Sequence, residues 1–110
     1  MLEIIASTLE DAIVIEKGGA DRIELVSALS EGGLTPSYGL ILQVVRAVNI
    51  PVNVMIRPHS RGFDYSENDL LCMLEDIRQA KALGANGVVF GMLDVKGNIA
   101  APQLEALLGH

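Results

Sequence analysis

Three charged residues, Glu3, Glu24 and Arg57, sit inside short apolar runs spanning residues 2–6, 22–26 and 52–57. Alternate side chains of an extended chain share a face. Glu3 therefore goes with Ile5, Glu24 with Val26, and Arg57 with Asn53 and Met55. If the apolar alternates Ile4, Ile23, Leu25, Val54 and Ile56 face a layer of helices, both carboxylates and the guanidinium converge on the other, enclosed face. Two neighbouring carboxylates can part in pKa and serve as acid and base, while an arginine grips a carboxylate or phosphate in a bidentate fork. Glu3, Glu24 and Arg57 are thus the candidate catalytic residues, and a buried ion-pair network filling the same space is the structural alternative.

A second set gathers at strand exits. His59 lies just beyond the third apolar run and can act as a metal ligand, a proton carrier or a loop residue bonded to water. Gly32 and Gly33 precede Thr35 and Pro36, which read as the cap and first position of a helix. Their backbone N–H groups can face an anion at the positive end of that helix, or the two glycines can simply form a tight turn. The expected ligand-binding set is Arg57, His59, Gly32, Gly33 and Thr35, with His59 and Met55 as metal candidates. Phe63 and Tyr65 either cover the mouth of the site or pin their own loop.

The elements that must position these groups alternate. A strand at residues 2–6 leads to a helix opened by Ser7 and Glu10 at capping-box spacing and closed at Gly18. Its inward stripe, Leu9, Ala12 and Ile13, is cut short by Glu16. The strand at 22–26 is followed by a glycine-rich loop and a helix from residue 36 to about residue 47, then by the strand at 52–57. A long loop over residues 58–65 precedes a third helix signalled by Ser66 and Asp69, with Leu70, Met73, Leu74, Ile77 and Ala80 as its buried stripe. Residues 87–92 read as a fourth strand, 94–98 as a polar turn, and Pro102 opens a short last helix. Alternating strands and amphipathic helices predict an α/β fold with a parallel sheet and outer helices. Four βα units are half of a TIM-type (β/α) barrel, which needs about 250 residues. Residues 1–110 are read as one domain. Unpaired apolar edges on the first and fourth strands lead us to expect a homo-oligomer, or a C-terminal half outside this chain, to complete the barrel.

Composition narrows the partners. The chain has 14 acidic and 8 basic side chains, for a net charge of -6. That balance argues against general attraction to nucleic-acid backbones. Half of the residues are hydrophobic and only 4% aromatic, as expected of aliphatic strands buried on both faces. No apolar run approaches the ~20 residues that span a bilayer, and no leader peptide follows Met1, so no membrane association is expected. The single Cys72 excludes an intrachain disulfide, and a cytoplasmic location is the simplest expectation.

The succession LEIIA, GGADRIEL, EGGLTPS, VNVMIRPH, FDYS and GVVFGML, taken in order, resembles the N-terminal half of the CutC family of copper homeostasis proteins. The resemblance implies a TIM-type barrel, a cytoplasmic location and copper binding or copper homeostasis, with no established reaction. Copper in some members is ascribed to cysteines on the first two strands, and the matching positions here are Ile5 and Val26. Met55, Met92 and Cys72 are the remaining sulfurs to consider, and Cys72 falls on an outer helix. His59 stands where many relatives have arginine. A polar or anionic small-molecule ligand at the strand ends is the leading expectation. An enzyme using Glu3, Glu24 and Arg57, or a fragment without independent activity, are the alternatives.

Overall fold

Four parallel strands pair in the order β1-β2-β3-β4, each joined to the next through a helix, in a computed structural model that describes residues 2–59 and 65–90. The elements are β1 (Glu3–Ala6), α1 (Leu9–Lys17), β2 (Arg22–Leu25), a 3-10 turn (Leu29–Glu31), α2 (Tyr38–Ala47), β3 (Val52–Ile56), α3 (Glu67–Ala82) and β4 (Gly87–Phe90). The α/β half-barrel expected from the alternation is the fold observed. Met92, the polar turn at 94–98 and the last helix lie outside the described residues, as do the loop residues 60–64.

Strand parity sorts the side chains as the pattern requires. Ile23, Leu25, Val54 and Ile56 point to one face and are fully buried against Ala12, Ile41, Val44, Met73, Ile77 and Ala80. The opposite face carries Ile5, Glu24, Asn53 and Gly87 in a single row across the sheet. There Ile5 is 48% exposed, so the two faces differ sharply in cover.

Two helix starts differ from expectation. The cap of α1 is Thr8, not Ser7: its side chain accepts from the Asp11 amide at 3.0 Å. Capping one residue later makes Leu9 the first helical residue and still places Ala12 at the core. The cap of α2 is Ser37, not Thr35, and Pro36 lies outside the helix. Thr35 is committed elsewhere, pairing with the end of β3: its amide donates to the Arg57 carbonyl at 3.0 Å, and its hydroxyl accepts from the Arg57 amide at 2.8 Å. The α3 start is as expected, with Ser66 and Asp69 forming a reciprocal capping box. Each of the first three strands is one residue shorter than its apolar run, because Leu2, Val26 and Arg57 belong to the flanking connections.

Glu16 shows why the inward stripe of α1 is short. Its carboxylate accepts from the amides of Asn49 and Ile50, fixing the turn between α2 and β3. A charge on an otherwise apolar face is there to satisfy backbone donors beyond a helix end.

Candidate functional site

The loop leaving β2 is folded back on itself by an antiparallel bridge between Ser27 and Leu34, with both N–H to carbonyl distances at 2.8 Å. Gly32 and Gly33 have φ of +88° and +93°, a region that L side chains rarely adopt. A Cβ on Gly32 would stand 2.8 Å from Arg57 Nη1. Glycine therefore meets two requirements here, the turn and the room for a guanidinium.

That guanidinium is the centre of the cluster. Arg57 is only 7% exposed, immediately after β3, and its Nη1 donates to the Gly33 carbonyl at 3.3 Å. Its charge also lies close enough to the Tyr65 phenol to draw that group's pKa down against the effect of burial. Tyr65, 6% exposed, packs its ring against His59 with centroids 5.3 Å apart and planes tilted by 57°. His59 Nε2 lies 3.1 Å from Asp69 Oδ2, the same oxygen that accepts the Ser66 amide at 3.0 Å. One chain of contacts thus runs from the β2 loop through Arg57, Tyr65 and His59 to the N-terminus of α3.

The electrostatics follow from this packing. Burial pushes the Tyr65 phenol above its ordinary range, and the Arg57 charge pulls in the opposite direction. Hydrogen bonding from the Ser66 backbone, with a further contribution from His59, holds the Asp69 carboxyl below its ordinary range. Asp69 therefore stays ionised at neutral pH, and Tyr65 stays protonated.

The predicted residues divide into two groups. Glu3 and Glu24 do come together on the open face, where burial and then the nearby Glu3 carboxylate raise the Glu24 pKa, and Glu3 also pairs with Arg22. Arg57 is not with them. Glu24 sits opposite Asn53, and Arg57 lies four residues further along, about 13 Å at ~3.3 Å per residue. Gly32 and Gly33 do border the Arg57 cluster, but their amides donate to the Leu29 and Ala28 carbonyls and are spent within the turn. Thr35 holds the backbone of Arg57 instead of starting a helix.

Asp69 and Arg22 were not among the predicted site residues. The Ser66 and Asp69 spacing reads as a helix cap, which it is, and the second use of the carboxylate depends on where His59 lands. Arg22 had a legible signal, since it shares strand parity with Glu24.

Sulfur is scattered. The Met55 methyl lies beside Gly33, Met73 is in the helix-facing core, and Cys72 is exposed on α3. Val26 is buried and Ile5 is largely exposed. Among the described residues no three His, Cys, Asp or Glu side chains come together to hold a metal ion. No helix among them is long and apolar enough to cross a membrane.

A stability prediction arises from the carboxyl pair. Burial, and secondarily the Glu3 charge, raise the Glu24 pKa above 4.5. The folded state then binds this proton more readily than the unfolded state, so the contribution of Glu24 to stability falls as pH rises from about 4.5 through the folded value. Glu24→Gln is expected to be more stable than the parent at pH 7, with the difference closing below about pH 4.5. Urea unfolding of both proteins across this range checks it, and a difference independent of pH contradicts it.

Relatives share this architecture. The structure of a protein named copper homeostasis protein CutC from Streptococcus agalactiae superposes with a TM-score of 0.90 at 35% identity, covering 99% of this chain and 54% of that one. The chain thus spans about half the length of that relative. A protein named a phosphonomutase from Burkholderia cenocepacia (TM-score 0.60, 21% identity, 89% of this chain and 41% of that one) shares the fold. So does the N-acetylmannosamine-6-phosphate 2-epimerase of Clostridium perfringens (TM-score 0.52, 23% identity, 98% and 42%). The family model described as CutC family matches residues 1–110, and the chain belongs to that family.

Proposed function

We propose that this chain binds a small ligand bearing an oxyanion, a phosphate or a carboxylate, at the carboxyl end of β3. The observation that carries the reading is the gathering of Arg57, His59 and Tyr65, three side chains with N–H or O–H donors, where barrel enzymes build their sites. A guanidinium in a largely water-excluded setting binds an oxyanion more strongly than one in bulk water. Its position is set by the Gly33 carbonyl, so little ordering remains to be done on binding.

Copper is the cargo that the family name suggests, and the described residues do not suit it. Cu(I) selects thiolate and thioether ligands. Ile5 and Val26 offer no donor atom. Cys72 is exposed on α3, and among the described residues no three His, Cys, Asp or Glu side chains gather to hold a metal ion. We therefore assign the strand ends to an anionic ligand.

The Glu3 and Glu24 pair supports a second reading, an acid–base enzyme centred on the middle of the sheet face. Its specific support is the closeness of the two carboxyl groups and the elevated proton affinity that burial, then the Glu3 charge, give Glu24.

Isothermal titration of the purified chain with inorganic phosphate tests the first reading, with acetate as the carboxylate arm and chloride as the control. Saturable binding of phosphate or acetate is expected. Heats no different from chloride for both would overturn the assignment.

A further inference from the structure

We propose that Thr35 is a positioning residue of the site: its hydroxyl closes on the backbone of Arg57, sets where the guanidinium stands, and so tunes the affinity for the oxyanion without touching it. This rests on the oxyanion reading and deepens it, because it gives the tuning of the site to the loop that leaves β2.

Strand pairing stops short of Arg57. Leu25 and Val54 are the last partners of β2 and β3, and β3 itself closes at Ile56. Residue 57 still has an N–H and a carbonyl to satisfy, and Arg57 is buried. Thr35 supplies both partners from the loop. Its amide donates to the Arg57 carbonyl at 3.0 Å, and its hydroxyl accepts from the Arg57 amide at 2.8 Å while donating to the same carbonyl at 3.2 Å. A neighbouring strand would offer that amide a backbone carbonyl. Here a side-chain hydroxyl takes its place.

The same stretch of loop reaches the other end of Arg57. The carbonyl of Gly33, two residues before Thr35, accepts from Nη1 at 3.3 Å, so residues 33–35 hold both the backbone and the guanidinium of one arginine. That stretch is in turn fastened to the exit of β2. Leu34 bridges Ser27 in both directions at 2.8 Å, and the Ser27 hydroxyl donates to the Thr35 carbonyl at 3.0 Å. Gly32 adds a steric condition, since a Cβ there would stand 2.8 Å from Nη1. A side chain held at both ends has little freedom left to lose when a ligand arrives, and affinity falls when that hold is loosened.

Thr35→Val removes the hydroxyl, keeps the shape of the side chain and leaves the amide bond in place. Calorimetric titration with inorganic phosphate is expected to show an affinity reduced roughly 3- to 10-fold, the worth of one hydrogen bond. Thr35→Ser keeps the hydroxyl and is expected to stay within about twofold of the parent. In an Arg57→Ala background Thr35→Val is expected to cost nothing further, because its effect passes through the guanidinium. The Nε–Hε signal of Arg57 in 1H–15N spectra of the protein without phosphate is expected to move in Thr35→Val and to stay in place in Thr35→Ser. Far-UV circular dichroism shows whether Thr35→Val folds. Should it not, Ser27→Ala loosens Thr35 from the end of β2 without altering residue 57, and smaller changes in the same direction are expected from it.

Undiminished phosphate affinity in the folded variant, or an unmoved Arg57 signal, would overturn the positioning role and leave the oxyanion site standing. A loss that persists in the Arg57→Ala background would overturn it too, because Thr35 would then be contacting the phosphate itself. Absence of any phosphate binding in the parent protein would overturn the oxyanion reading and, with it, the effect on affinity.

Discussion

Arg57→Ala is expected to weaken phosphate binding roughly 10- to 150-fold, matching the ~1.5–3 kcal/mol typical of hydrogen bonds to a charged group. The fold should survive the change, because what fastens this point of the chain is backbone. The Thr35 amide and hydroxyl bond the carbonyl and amide of residue 57, and none of these contacts needs the guanidinium. What is lost is the donor to the Gly33 carbonyl, the contact with Tyr65 and the positive charge. Arg57→Lys keeps the charge without the planar fork and is expected to fall between the two. Calorimetry measures the affinities, and far-UV circular dichroism shows that each variant is folded. Folded Arg57→Ala protein with undiminished affinity would place the ligand elsewhere.

Leu25→Ala is expected to lower the unfolding free energy by about 2–5 kcal/mol, the range for a fully buried aliphatic truncation. Leu25 is fully buried, and its strand lies between two others, with Ala6 opposite on one side and Val54 on the other. The cavity would open between sheet and helices, where neighbours on both strands are already fixed by parallel pairing and collapse only in part. Leu71→Ala provides the comparison. Leu71 is 64% exposed on α3, and its truncation is expected to change stability by no more than ~0.5 kcal/mol. Denaturant unfolding monitored by circular dichroism separates the two, and similar small losses in both would contradict the placement of the core.

The repeated alternation of apolar strands with amphipathic helices made the half-barrel legible in the sequence, since a period of two and a period of 3.6 are hard to confuse over four units. Parity along each strand was legible for the same reason and put Glu3 and Glu24 on one face. What parity does not carry is distance along the strand. Arg57 shares that face, but stands about 13 Å further on than the residue opposite Glu24. Helix starts were only partly legible because Ser7 and Thr8, like Thr35 and Ser37, are equally competent caps. The choice between Thr35 and Ser37 is made by a tertiary contact, the pairing of Thr35 with the Arg57 backbone. The His59 and Asp69 contact was hidden by a similar double use, one carboxylate serving both a helix cap and an imidazole.

Amide and side-chain 1H–15N spectra of the chain, recorded while inorganic phosphate is added, test most directly where the ligand sits. Saturating shifts centred on Gly33, Arg57 and His59 are expected. Shifts that saturate instead around Glu3, Arg22, Glu24 and Asn53 would contradict a site at the end of β3 and favour the carboxyl pair.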